Sequence, residues 1–156
     1  MTREEKNAAE KMIKTLENFE GIYNFKAEDE AMDTVLYKLF SNLGFPGLRG
    51  DMATPKRNRA MIAFLQKVYI GGENIRKEYM VSFDAIDYEY VDDDDYDTCK
   101  TDYAYTAEEA IELVKKQVLD YAERNGLKGK TAEDGMIIIE DENGPIGECR
   151  NFRIYE

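Results

Sequence analysis

Asp92, Asp93, Asp94, Asp95 and Asp97 place five carboxylates in six consecutive positions, interrupted only by Tyr96. Carboxylates at this density serve three kinds of chemistry: holding a divalent cation, acid–base or two-metal hydrolysis, and presenting a negative surface to a positive partner. For calcium, Asp93, Asp95 and Asp97 fall at the first, third and fifth positions of an EF-hand loop. Thr98, however, stands where that loop needs glycine, and Ala104 where it needs its bidentate glutamate. A tetra-aspartate run binds Mg²⁺ or Ca²⁺ weakly and without selectivity, so a divalent-cation-binding protein ranks behind a protein-binding inhibitor and an interaction module. Hydrolysis by paired carboxylates needs acids held in a pocket by separate elements, whereas these acids are contiguous. The chain has no histidine, which removes the usual general base, the commonest metal ligand and every histidine-containing triad. No catalytic residue, metal centre or cofactor is therefore expected.

Presentation of a negative surface is the reading that remains. Over residues 81–105 nine acids stand against one base, Lys100, and over 81–112 the ratio is twelve to one, in a chain of net charge −12. Successive residues of an extended strand advance about 3.3 Å, close to the roughly 3.4 Å axial spacing of phosphates along one DNA strand. Exposed carboxylates on such a stretch match the spacing of a nucleic-acid backbone. The expected contact residues are Asp87, Tyr88, Glu89, Tyr90, Asp92, Asp93, Asp94, Asp95, Tyr96, Asp97 and Asp102. The tyrosines add contact area at low entropic cost, as they do in protein interfaces. The partner expected is a basic protein surface, such as that of a nuclease or another nucleic-acid-binding protein. Direct nucleic-acid binding and membrane binding are not expected beside so much negative charge. Residues 48–80 carry seven bases against three acids, and the basic Lys56-Arg57-Asn58-Arg59 is read as a solvated helix start. That basic segment next to the acidic one also admits a homo-oligomer.

The elements that position these residues are read from periodicity. Ala9, Met12, Ile13, Leu16 and Phe19 predict an amphipathic helix over 3–19 with a Thr2/Glu5 capping box. A second apolar stripe predicts a helix over 27–42, stopped by Gly44 and Pro46. Thr54 and Pro55 predict the cap and first turn of a third helix, which ends at Gly71 and Gly72. The connector 44–54 lacks the lysine of a phosphate-binding loop. Alternation over 79–91, with a slip at Ala85 and Ile86, predicts a strand carrying a bulge. A short return strand over 101–105 would then close a hairpin around the acidic loop 91–102. Thr106 with Glu109 predicts a second capping box and a helix to Asn125, closed by Gly126. Strands over 136–139 and 146–155 flank Asn143-Gly144, a strong hairpin signal. The fold class expected is α+β: an N-terminal three-helix segment, then a small antiparallel sheet of three or four strands with one helix packed on it. Two subdomains, 1–72 and 73–156, would share one compact unit.

Cys99 and Cys149 match no zinc-ligand spacing and predict no disulfide. With no apolar leader and no run long enough to cross a membrane, the chain reads as cytoplasmic. In small size, acidity, absence of histidine and absence of a catalytic signature, it is similar in type to inhibitors that phages and mobile elements direct against defence nucleases, the anti-CRISPR and anti-restriction proteins. That similarity covers general character and carries no shared motif. It implies a non-enzymatic inhibitor, for which the alternative is an acidic adaptor or structural interaction module.

Overall fold

The computed structural model describes residues 1–18, 30, 31, 34, 35, 38, 55–87 and 98–155. The chain divides into two compact units, Met1–Lys77 and Glu78–Glu156.

In the first unit, α1 (Arg3–Glu17) opens with the expected capping box. The Glu5 amide donates to Thr2 Oγ1 (3.1 Å) and the Thr2 amide to Glu5 Oε2 (2.9 Å), so two helix-end donors are satisfied reciprocally. Of the helix expected over 27–42, the described residues Glu30, Ala31, Thr34, Val35 and Lys38 are helical. Val35 is buried in one cluster with Ala8, Ala9, Met12, Ile13 and Leu16 of α1, the i, i+3, i+4 face that periodicity selects. α2 (Pro55–Leu65) adds Met61, Ile62 and Leu65 to this core, while its expected cap, Thr54, lies outside the described residues. The helix does not run unchanged to Ile70. It widens into a π-helical turn over Gln66–Ile70 and stops where Gly71 takes φ +74° and donates to Gln66 O at 2.8 Å.

The second unit is α+β. Its antiparallel sheet has five strands, not three or four: β1 (Lys77–Ile86), β2 (Cys99–Ala104), β3 (Lys128–Thr131), β4 (Ile137–Asp141) and β5 (Gly144–Ile154), in the order β2-β1-β5-β4-β3. The strand absent from the sequence expectation is β3. Its Lys-Gly-Lys-Thr has no apolar residue to signal a strand, and it forms by pairing with β4 from Lys128↔Glu140 to Thr131↔Ile137. Two lysines on a four-residue edge strand also discourage further pairing.

α3 (Ala107–Arg124) covers one face of the sheet. Ala110, Val114, Val118 and Ala122 are buried with Val81, Phe83, Ala104, Ile137, Ile139 and Cys149. A Cβ added to Gly129 would stand 2.6 Å from Leu119 Cδ2, so the glycine lets α3 lie close over the β3 edge. The helix closes as its Asn-Gly ending predicts. Gly126 (φ +75°) donates to Glu123 O and Leu127 to Ala122 O, the paired bonds of a Schellman motif. At the other end the Glu109 amide donates to Thr106 Oγ1 (3.1 Å), but the Glu109 carboxylate receives the Tyr105 amide (2.8 Å). The box thus reaches one residue further back than expected.

The hairpin turn and the β1–β5 bulge are displaced from where the sequence puts them, and a further register shift lies between Ile139 and Glu140, where Ile146 is the extra residue of β5. The β4–β5 turn centres on Glu142 and Asn143, with Asp141 paired to Gly144; Gly144 carries the positive φ (+120°), so glycine is required just after the turn. The bulge expected in β1 at Ala85 and Ile86 lies in β5. Ser82↔Arg153 is followed by Asp84↔Arg150, leaving Asn151 and Phe152 opposite Phe83 alone, with Asn151 in the left-handed region at φ +57°.

Candidate interaction surface

The acidic stretch is carried between two neighbouring strands. β1 ends at Ile86, and Asp87 follows in the left-handed region (φ +56°), exposed to solvent. An acid whose side chain can bond its own backbone tolerates that conformation better than most residues. The chain is next described at Thr98, whose carbonyl accepts from the Phe83 amide at 3.0 Å, just before β2 begins. Tyr88, Glu89, Tyr90, Asp92, Asp93, Asp94, Asp95, Tyr96 and Asp97 lie outside the described residues.

Asp102 departs from the expectation of an exposed contact. It is 0 % exposed, on the same face of β2 as buried Lys100 and Ala104, because alternate residues of a strand share a side. Its Oδ2 accepts from Gln117 Nε2 of α3 at 2.6 Å and its Oδ1 from the Tyr103 amide at 2.7 Å. Gln117 Nε2 also donates to Thr101 O at 3.0 Å. Asp102 is therefore an internal tie between the edge strand and the helix. Lys100, the sole base among the acids, is likewise withdrawn from the surface, at 1 % exposure.

A second polar constellation, which alternation alone does not reveal, braces the β5 bulge. Asn151 Nδ2 donates to Asp84 Oδ2 at 2.7 Å, and Arg153 Nη1 donates to Asn151 O at 2.7 Å and lies 3.4 Å from Asp84 Oδ1. The hydrogen bond from Asn151, aided by the charges of Arg153 and Arg150, holds the Asp84 carboxyl below its ordinary range. A carboxylate lowered in the folded state stabilises above its unfolded pKa, and that contribution is lost as pH falls through the folded value. The sequence signal for this brace is a lone asparagine inside a strand, readable as a left-handed residue only once the register is known.

In the N-terminal unit the Tyr69 hydroxyl is buried without a hydrogen-bond partner among the described residues. Burial raises its pKa, with the Lys38 charge opposing and Glu5 reinforcing. Lys38 and Glu5 themselves pair at 3.2 Å. Among the described residues no three His, Cys, Asp or Glu side chains converge as metal ligands, and no described helix is long and apolar enough to cross a membrane.

Cys99 is partly exposed and Cys149 buried, both as free thiols. Burial, reinforced by Glu148, pushes the Cys149 thiol up to about 11, which suppresses the thiolate that attacks disulfide reagents. A thiol raised in the folded state favours folding fully below its unfolded pKa and ceases to do so as pH rises through the folded value. Titration with a chromogenic disulfide at pH 8 is expected to react with one thiol, Cys99, in the native protein, and with both after denaturation. Equal rates for the two in the native state would contradict the burial of Cys149.

No protein-family model, curated protein or solved structure matches this chain.

Proposed function

We propose that this protein is a non-enzymatic, cytoplasmic inhibitor that occupies a basic nucleic-acid-binding surface of another protein, in the manner of anti-CRISPR and anti-restriction proteins. The target class is a nuclease or other nucleic-acid-binding defence protein. Asp87, Glu89 and Asp92–Asp97 supply the negative charge, and Tyr88, Tyr90 and Tyr96 the contact area. Asp102 acts from within by holding β2 to α3.

The observation that carries this reading is the concentration of charge between two neighbouring strands. Residues 87–97, between β1 and β2, hold seven acids and no base, and Lys100, the one base over residues 81–112, is buried. No cation of the stretch thus stands at the surface to offset the acids around it. Charge placed this way speeds association with a basic partner and makes it sensitive to salt.

The test is a variant with Asp92, Asp93, Asp94 and Asp95 all replaced by asparagine. Its melting temperature is expected to stay level or rise, because like-charge repulsion falls, while capture of a nucleic-acid-binding protein from bacterial lysate is lost. Undiminished capture by the variant sinks the proposal. Capture of a partner with no nucleic-acid-binding surface would instead favour an acidic adaptor.

A further inference from the structure

Two of the nine asparagines in the chain precede glycine, Asn125-Gly126 just past α3 and Asn143-Gly144 in the β4–β5 turn. An asparagine in that setting can react with its own backbone. The amide nitrogen of the following residue attacks the side-chain carbonyl carbon, and glycine, with no Cβ, hinders that approach least. Both asparagines are exposed, and a Cβ built on either glycine meets nothing within 4 Å, so neighbouring side chains shield neither pair.

Hydrogen bonding separates them. Asn125 Nδ2 donates to Tyr121 O at 2.8 Å, which fixes that side chain along the end of the helix. The Gly126 amide, which would be the nucleophile, donates to Glu123 O at 3.0 Å, and the next amide, Leu127, to Ala122 O at 2.9 Å. For the Gly126 nitrogen to reach Asn125 Cγ, the first two of these bonds must break and the turn that carries the third must rotate. The reaction therefore requires the Schellman closure of α3 to come apart.

The Asn143 side chain is under no such restraint. Its backbone amide donates to Asp141 Oδ1 at 2.7 Å, while its side-chain amide holds no hydrogen bond among the described residues. Gly144 pairs with Asp141 as the last rung of the hairpin, so freeing its amide opens that rung alone, at the solvent end of two strands. Gly144, at φ +120°, has the backbone freedom to turn. Local openings of this kind cost far less than global unfolding. The other seven asparagines all precede residues that carry a Cβ, which slows the attack.

We infer that Asn143 is a site of spontaneous deamidation in the folded protein, and that the closure of α3 holds Asn125 back from the same reaction. The Gly144 amide nitrogen bonds to Asn143 Cγ, the Cγ–Nδ2 bond breaks, and ammonia leaves with the proton that the amide gave up, so positions 143 and 144 share a five-membered imide. Water then opens the ring at either carbonyl. One product is an ordinary aspartyl link; the other is an isoaspartyl link that routes the main chain through the side-chain carbon. Both add a negative charge beside Asp141 and Glu142, and the second inserts a methylene into the turn that the Asp141↔Gly144 pair closes. This modification is independent of the acidic surface and its target.

The experiment is peptide mapping by mass spectrometry of the full chain incubated at pH 8, in buffer and, in parallel, in denaturing urea. In buffer Asn143 should convert about tenfold or more faster than Asn125, equivalent to about 1.4 kcal/mol or more of added barrier at Asn125, with isoaspartate among the products at 143. In urea the two should convert at comparable rates, which traces the native difference to the fold. Hydroxylamine, which cleaves the chain at the imide, should cut the native protein between 143 and 144, and Asn143→Gln should abolish both that cut and the acidic species seen on ion exchange. Equal native rates at the two sites, Asn143 converting no faster than exposed Asn74, or a difference that persists undiminished in urea would overturn the assignment.

Discussion

Replacing Phe83 by alanine is expected to destabilise the second unit by about 3–5 kcal/mol, the usual cost of deleting a buried phenylalanine ring. The ring is 2 % exposed and packs in the core between the sheet and α3. It stacks on Phe152 at 5.0 Å with 24° between planes, a contact that adds about 0.5–1.5 kcal/mol beyond area burial. Its position makes the loss hard to absorb. Phe83 stands opposite the bulge, where two residues of β5 face one of β1, and one of those two is the Phe152 on which its ring stacks. Against a total stability of about 5–15 kcal/mol for an ordinary domain, the variant should show a much lower urea midpoint with an unchanged slope. Phe83→Leu, which keeps much of the volume, should lose far less. A cost for Phe83→Ala below about 1 kcal/mol would place the ring outside the core.

Asp102→Ala is the second large effect expected, about 3 kcal/mol or more, because removing one member of a buried polar and charged network takes an acceptor away from groups that are already withdrawn from water. The Tyr103 amide would lose its 2.7 Å acceptor, and Gln117 Nε2 would keep only Thr101 O. Buried Lys100 would also remain two residues away on the same face, with less negative charge around it. Asp102→Asn keeps the shape and one acceptor and should cost less. Because Asp102 and Gln117 touch, their alanine variants should combine non-additively, with a coupling of about 0.5–3 kcal/mol. Amide exchange should accelerate first in β2, the edge strand that the tie holds to α3. Additive costs, or an Asp102→Ala variant as stable as wild type, would show that the tie contributes little. This result also bears on the acidic surface: Asp102→Ala acts through stability, whereas neutralising Asp92–Asp95 is expected to act through binding alone.

Local chemistry in the chain determined the helices well. The Thr2/Glu5 box, the glycine stops at Gly71 and Gly126, and the spacing of Met12, Ile13 and Leu16 each act within a few residues, so sequence carries their full cause. The α+β class followed from the same local signals, and so did the concentration of negative charge between two strand-forming segments. What tertiary structure decided is whatever depends on pairing across distance. β3 exists because β4 offers it partners, since Lys-Gly-Lys-Thr has no strand signal of its own. The bulge moved from β1 to β5 because register is settled between strands, and a left-handed asparagine in β5 accommodates the extra residue. Asp102 and Lys100 read as two more charges on a polar strand. Their burial was decided by which face of β2 turned toward α3 and by Gln117, fifteen residues from Asp102, arriving with a donor. Charge count is a property of the chain, but which charges reach solvent is a property of the fold.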